Sequence, residues 1–214
     1  MVYRRGNSGK DVLTIQELLT KAGFPVVQDG LFGAQTEKAV MDLQRKCGIK
    51  VDGIVGDLTL RMLSPFQVLK SKRVIKEIIV HCTATREGQN VTVSDVDKWH
   101  RSQGWNCIGY HYLVYLDGSV HAGRDVDVDG AHAGKNNKDG KNHNKNSIAV
   151  CYVGGLDANG KPKDTRTVSQ KIALVQLLKQ LRVLYPSATI VGHNYWSTIK
   201  ACPCFDAKEE YKKI

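Results

Sequence analysis

Three side chains able to do chemistry fall within ten residues of each other: His193, Lys200 and Cys202, in Gly192-His-Asn-Tyr-Trp-Ser-Thr-Ile-Lys-Ala-Cys-Pro-Cys-Phe-Asp206. An imidazole and a thiolate close together are a common start of a zinc site, but two ligands are too few. The best third candidate is His81, at the end of the apolar run Val74-Ile-Lys-Glu-Ile-Ile-Val80. Two His and one Cys would leave the fourth tetrahedral position of zinc open to water, as in a catalytic site rather than a structural one. Taken singly, each residue also has a plain structural reading. A strand-end His can be satisfied in a core, and a Cys can simply be buried. Their long-range spacing does not by itself bring them together.

These residues need elements to position them. The apolar pattern predicts a buried strand over 74–81 that delivers His81, and a last strand over 188–191 whose exit delivers His193. Between them the pattern predicts a helix over 93–101 capped by Thr92 or Ser94, and a β-rich run over 108–116. An Asp117-Gly118 turn and a return strand over 119–122 follow. A Lys, Asn and Gly-rich loop spans 134–146, and a buried strand spans 147–153. Leu174, Leu177, Leu178, Leu181 and Leu184 recur at helical spacing in a helix over 168–185. A mixed sheet flanked by helices accommodates this order, with ligands near strand ends. Alternation along 110–112 would put Tyr110 and Tyr112 on one face and His111 on the other.

The first 66 residues are of another kind. Asp29-Gly-Leu-Phe-Gly-Ala-Gln-Thr36 recurs as Asp52-Gly-Ile-Val-Gly-Asp-Leu-Thr59, with Asp, two Gly and Thr repeated in place. The glycines permit a tight turn, and the Asp can bond nearby amides. Val12, Ile15, Leu18 and Leu19 form one helical stripe, closed by Gly23 and Pro25. Ala39, Val40, Leu43 and Cys47 form another, so a small all-α bundle of about three helices is expected. Pro65 would stop the third helix, and the polar, basic stretch 67–73 would be a linker. The domains are thus 1–66, a linker, and 74–214.

Composition narrows the setting. The 214 residues carry a net charge of +10, which favours an anionic partner such as a cell-wall polymer, a lipid headgroup or nucleic acid; a merely soluble basic surface fits as well. No tight Lys/Arg block singles out nucleic acid, and the apolar runs are too short to span a membrane. No secretory leader is visible in Met-Val-Tyr-Arg-Arg-Gly, so synthesis in the cytoplasm and arrival at the wall by release or export is expected. Six Cys without a framework spacing are expected as free thiols. All seven His lie between His81 and His193, which separates a chemical part of the chain from a non-chemical one.

Two families are visible in these motifs. Gly6-Asn-Ser-Gly-Lys-Asp-Val12, the Gln16-Glu-Leu-Leu19 segment and the two Asp-Gly turns resemble the three-helix peptidoglycan-binding domain of many wall hydrolases. That resemblance covers residues 4–63 and implies a targeting role that raises local substrate concentration. His81-Cys-Thr-Ala-Thr85, Gly109-Tyr-His-Tyr112, Asn146-Ser-Ile-Ala-Val-Cys-Tyr-Val-Gly-Gly155 and Lys200-Ala-Cys-Pro203 occur in an order that resembles type 2 N-acetylmuramoyl-L-alanine amidases. These zinc amidases include phage lysozymes and share a fold with peptidoglycan recognition proteins. The resemblance covers about residues 74–207.

Carried over by position, it implies one Zn2+ held by His81, His193 and Cys202, with Tyr110 and Lys200 as catalytic partners. It also implies that His132, in Gly130-Ala-His-Ala-Gly134, lies in a loop flanking the substrate groove as a substrate-binding candidate. Zinc lowers the pKa of its water from about 16 to about 7, which suits attack on the amide joining the muramic acid lactyl group to L-alanine. Lys200 would then stabilise the oxyanion. No His-Glu-x-x-His motif supplies a general base, and Glu87 is the one Glu between His81 and Cys202. Cys204 departs from the family pattern and would point away from the metal, compete for it or form a disulfide. Cys82 and Cys151 are expected in the core.

The function expected is a peptidoglycan hydrolase, a monomer with no nucleic-acid partner and no membrane insertion. Its modular layout suits a phage endolysin, an autolysin or an exported antibacterial effector. The alternative is a non-catalytic peptidoglycan receptor, a class that keeps the groove and loses a ligand; here all the ligand positions are filled. A nucleic-acid binder would rest on charge alone.

Overall fold

The computed structural model describes residues 2–63, 66–134 and 137–214. The chain divides into two units, Met1–Pro65 and Phe66–Ile214. The expected helix stop at Pro65 lies outside the described residues.

The first unit is helical, with α1 (Lys10–Lys21), α2 (Ala34–Cys47) and α3 (Asp57–Leu63). Val12, Ile15 and Leu19 of α1 are buried, as are Ala39, Val40 and Leu43 of α2 and the turn residues Phe32 and Val55. Gly48 ends α2 in the left-handed conformation at φ +67°, where a β-carbon would be strained. The repeated turns are each built around a buried glutamine. Gln16 Nε2 donates to Asp29 Oδ1 at 2.8 Å, Leu31 O at 3.0 Å and Thr36 Oγ1 at 3.1 Å, while its Oε1 accepts from the Gly30 N–H at 2.8 Å. Gln44 does the same one repeat later. Its Nε2 donates to Asp52 Oδ1, Ile54 O and Thr59 Oγ1, and its Oε1 accepts from the Asp52 and Gly53 N–H groups. One side chain thus satisfies a whole turn of buried polar backbone, which would otherwise cost about 1–3 kcal/mol per orphaned group.

The second unit is α/β with a mixed central sheet. Its elements are β1 (Glu77–Cys82), β2 (Thr85–Arg86), α4 (Val93–Ser102), β3 (Tyr112–Val114), β4 (Val120–Ala122), β5 (Ser147–Tyr152), β6 (Gly155–Leu156), α5 (Val168–Leu184), β7 (Thr189–Gly192), α6 (His193–Trp196) and α7 (Ala207–Glu210). The five-stranded sheet runs β4-β3-β5-β1-β7, antiparallel between β3 and β4 and parallel elsewhere. Strand alternation sorts its two faces. Ile78, Val80, Tyr112, Val114, Ile148, Val150 and Ile190 pack with Leu174, Leu177, Leu178 and Leu181 of α5. Each fully buried leucine contributes about 1.5–3 kcal/mol. Ile79, His81, Leu113, Cys151 and Val191 occupy the opposite face. Both crossover helices open on capping boxes, Thr92 with Asp95 for α4 and Thr167 with Gln170 for α5.

One expectation is corrected. The strand in the 108–116 run is β3, 112–114; just before it the His111 N–H still donates to Ala149 O at 3.1 Å and the Tyr110 carbonyl accepts from the Arg124 N–H at 2.8 Å, but earlier residues bond to a helix. The Ile108 N–H donates to Asp97 Oδ1 at 2.7 Å and the Gly109 N–H to His100 Nδ1 at 2.9 Å, both on α4. Tyr110 and Tyr112 do not share a face: Tyr110 packs on the His81 face, while Tyr112 packs beneath α5. The stretch 67–73 bonds into the second unit. The Ser71 N–H donates to the Tyr185 hydroxyl at 2.6 Å, and the Arg73 guanidinium donates to Val126 O at 2.8 Å and Lys145 O at 3.1 Å. Phe66 sets its ring edge-on to Tyr112 at 5.6 Å. These residues belong to the second unit.

Candidate active site

Parallel pairing brings the functional residues to one edge. Val80 is level with Gly192 in the β1/β7 ladder, so His81 and His193 leave adjacent strands side by side at their carboxyl ends. Open α/β sheets present their sites at that edge. The two rings are 4.8 Å apart between centroids. Cys202 returns on the following loop, where its carbonyl accepts from the Asn194 N–H at 2.7 Å. The Pro203 carbonyl accepts from the Tyr152 hydroxyl at 2.7 Å. Gly192 is required at the crossing: a β-carbon there would lie 2.6 Å from the Pro203 ring and 2.4 Å from Asn194 Oδ1.

The ligand atoms of His81, His193 and Cys202 lie within 4.8 Å of one another. Cys202 Sγ is 3.6 Å from His81 Nδ1. Tetrahedral zinc with Zn–N of about 2.0 Å and Zn–S of about 2.3 Å separates its donors by roughly 3.5 Å, so this donor set and spacing fit the metal. Burial, then the neighbouring His132 and His193 rings, hold His81 well below the ordinary histidine range. Burial, with Lys200 nearby, holds His193 down to about 4. Both imidazoles are therefore neutral at neutral pH, as ligands must be. The Cys82 N–H donates to Cys202 Sγ at 3.2 Å.

Tyr110 places its ring 5.2 Å from that of His81, and desolvation keeps its phenol protonated at neutral pH. Lys200 is exposed at the rim, its backbone N–H bonded to Ser197 Oγ at 3.1 Å. Cys204 turns away at φ +70°, its Sγ 3.1 Å from Gly155 O and 3.9 Å from Cys82 Sγ. Cys82 lies in the α5-side core and Cys151 beneath the opposite face. All six cysteines are free thiols.

His132 sits in the interior beside His81. It is 8% exposed, with Nδ1 3.0 Å from His81 Nε2. Asn144 Oδ1 pins the loop that carries it, accepting from the His132 and Ala133 N–H groups at 2.9 and 2.7 Å. Gly130 makes room for the ring; a β-carbon there would lie 2.3 Å from His132 Cδ2. The Gly-Ala-His-Ala-Gly run was the one sequence signal of this tight packing.

Among the described residues no helix is long and apolar enough to cross a membrane.

Residues 71–205 match the family model described as N-acetylmuramoyl-L-alanine amidase, and residues 8–63 match that described as a peptidoglycan binding domain. The endolysin of Klebsiella phage KP32 is 42% identical over 137 residues, covering 64% of this chain and 85% of that protein. The endolysin of Escherichia phage T7 is 41% identical over 144 residues, covering 67% and 90%. The solved N-acetylmuramoyl-L-alanine amidase LysC from Clostridium intestinale URNW shares the fold, with a TM-score of 0.53 at 22% identity over 69% of this chain and 92% of its own. The chain belongs to the N-acetylmuramoyl-L-alanine amidase family, as a peptidoglycan hydrolase with a peptidoglycan-binding domain ahead of its α/β domain.

Proposed function

We propose that the protein is a zinc-dependent endolysin-type amidase that cleaves the bond between the lactyl group of N-acetylmuramic acid and L-alanine of the stem peptide. The observation that carries this reading is the convergence of one thiol and two neutral imidazoles at the carboxyl edge of the sheet. His81, His193 and Cys202 would hold the metal. A bound zinc supplies a Lewis acid and a water whose pKa is lowered to about 7.

The chain's own groups do the rest. Lys200, at the rim and close enough to depress His193, brings a cation to the oxyanion that develops on the scissile carbonyl. Tyr110, protonated and tilted beside His81, donates a hydrogen bond to the reacting oxygen and orients it. The first unit holds the enzyme on its polymer.

Muropeptide analysis of digested peptidoglycan tests the reading. The expected result is release of stem peptides with new L-alanine N-termini, abolished by a zinc chelator and restored by zinc. Wall binding with no new N-termini would refute it.

A further inference from the structure

His81 uses one ring nitrogen toward the metal position and the other toward the protein interior. Nδ1 faces Cys202 Sγ at 3.6 Å, and Nε2 faces His132 Nδ1 at 3.0 Å. His132 in turn places Nε2 3.3 Å from Ser147 Oγ. The Ser147 hydroxyl donates to the His143 carbonyl at 2.7 Å. Ser147 is fully buried at the start of β5, so the relay ends on the strand that pairs with β1.

The proton positions along this relay follow from its two ends. At the inner end a carbonyl can only accept, so Ser147 donates to it and offers a lone pair to His132. His132 must then carry its proton on Nε2, which leaves Nδ1 as an acceptor. His81 must therefore carry its proton on Nε2 and present a bare Nδ1 lone pair, on the side where Cys202 stands. Reversing any one link puts two donors or two acceptors face to face inside the core.

We propose that His132 is a positioning residue, which fixes the tautomer and ring plane of His81 so that Nδ1 is its ligand atom. This rests on the zinc reading above and replaces a substrate-binding role for His132: both ring nitrogens are engaged and the ring is buried. A metal-bound His ordinarily gives its second N–H to a carboxylate, carbonyl or water. Here the acceptor is a neutral imidazole, so the support adds no negative charge beside the site.

The test uses the full chain, zinc affinity from chelator competition, and long-range 1H–15N correlation of the imidazoles. Wild type is expected to bind one zinc with the His81 proton on Nε2. His132→Leu fills the space without an acceptor and is expected to weaken zinc binding by about 10–100-fold. His132→Asn places Oδ1 where Nδ1 stood and is expected to stay close to wild type. Gly130→Ala keeps every donor but pushes on the His132 ring, and is expected to weaken zinc binding in the same direction.

Unchanged affinity in a folded His132→Leu would overturn the proposal. If that variant fails to fold, a wild-type spectrum with the His81 proton on Nδ1 overturns it, and one with the proton on Nε2 supports it. Wild type that binds no zinc would overturn the underlying function reading, a separate outcome.

Discussion

Gln44→Leu isolates what holds the first unit together. Leucine has nearly the volume of glutamine and a good helix propensity, so α2 itself is undisturbed. What is lost is the amide. The N–H groups of Asp52 and Gly53 lose the Oε1 that accepts from them at 3.0 and 2.9 Å, and the Gly53 N–H is buried. The Ile54 carbonyl keeps one partner, the Thr59 hydroxyl at 3.2 Å. Two orphaned donors at about 1–3 kcal/mol each give a loss of roughly 2–6 kcal/mol. A unit of this size has a total stability of only about 3–10 kcal/mol. Urea unfolding followed by circular dichroism should therefore show the first unit melting early and the second unit at its wild-type midpoint. Retention on insoluble peptidoglycan should fall with the first transition, while cleavage of small soluble muropeptides persists. Lys38→Ala, which removes an exposed i,i+4 pair with Asp42, is the control and should cost under about 0.5 kcal/mol. A loss below about 1 kcal/mol for Gln44→Leu would refute the claim that its amide satisfies the turn.

Three further outcomes are expected. Cys202→Ala should lose both zinc, measured by metal analysis, and muropeptide cleavage; full activity without metal would remove the mechanism. Lys200→Ala should keep stoichiometric zinc and lose about 10²–10³ in kcat, the usual worth of one oxyanion donor; an unchanged rate would take Lys200 out of that role. Cys204→Ser should keep one zinc per chain, because Sγ faces Gly155 O and Cys82 rather than the ligand cluster; loss of the metal would make Cys204 a ligand.

The parts of this architecture that depend on local pattern were legible in the sequence. His81 and His193 could be placed because each follows a short apolar run, and a run of that kind becomes a buried strand whatever its partners are. Which strands pair is a long-range matter, so the convergence with Cys202 had to come from resemblance or from structure. Alternation run over 110–112 puts Tyr110 on the face of Tyr112, but its ring lies beside that of His81; regular strand begins only at Tyr112, and the Ile108 and Gly109 N–H groups go to α4 side chains. Gln16 and Gln44 carry a usable signal. Both sit on the apolar stripe of their helix, beside Ile15 and Leu19 or Val40 and Leu43, where a polar residue must have buried partners. Arg73 carries none: the carbonyls its guanidinium reaches lie more than fifty residues away along the chain.

The strand order also sets a sequence of events during synthesis. The glutamine-centred turns close over 13 and 8 residues, so the first unit has what it needs as soon as it emerges. The central strand β1 must wait, since its neighbours β5 and β7 lie some 70 and 110 residues further on. A nascent chain that stops short of residue 193 carries one ligand of the three and cannot build the cluster. Wall-binding ability is thus assembled early and lytic ability late. Truncated products would tether to the wall without cutting it, competing with the finished enzyme for sites on the polymer.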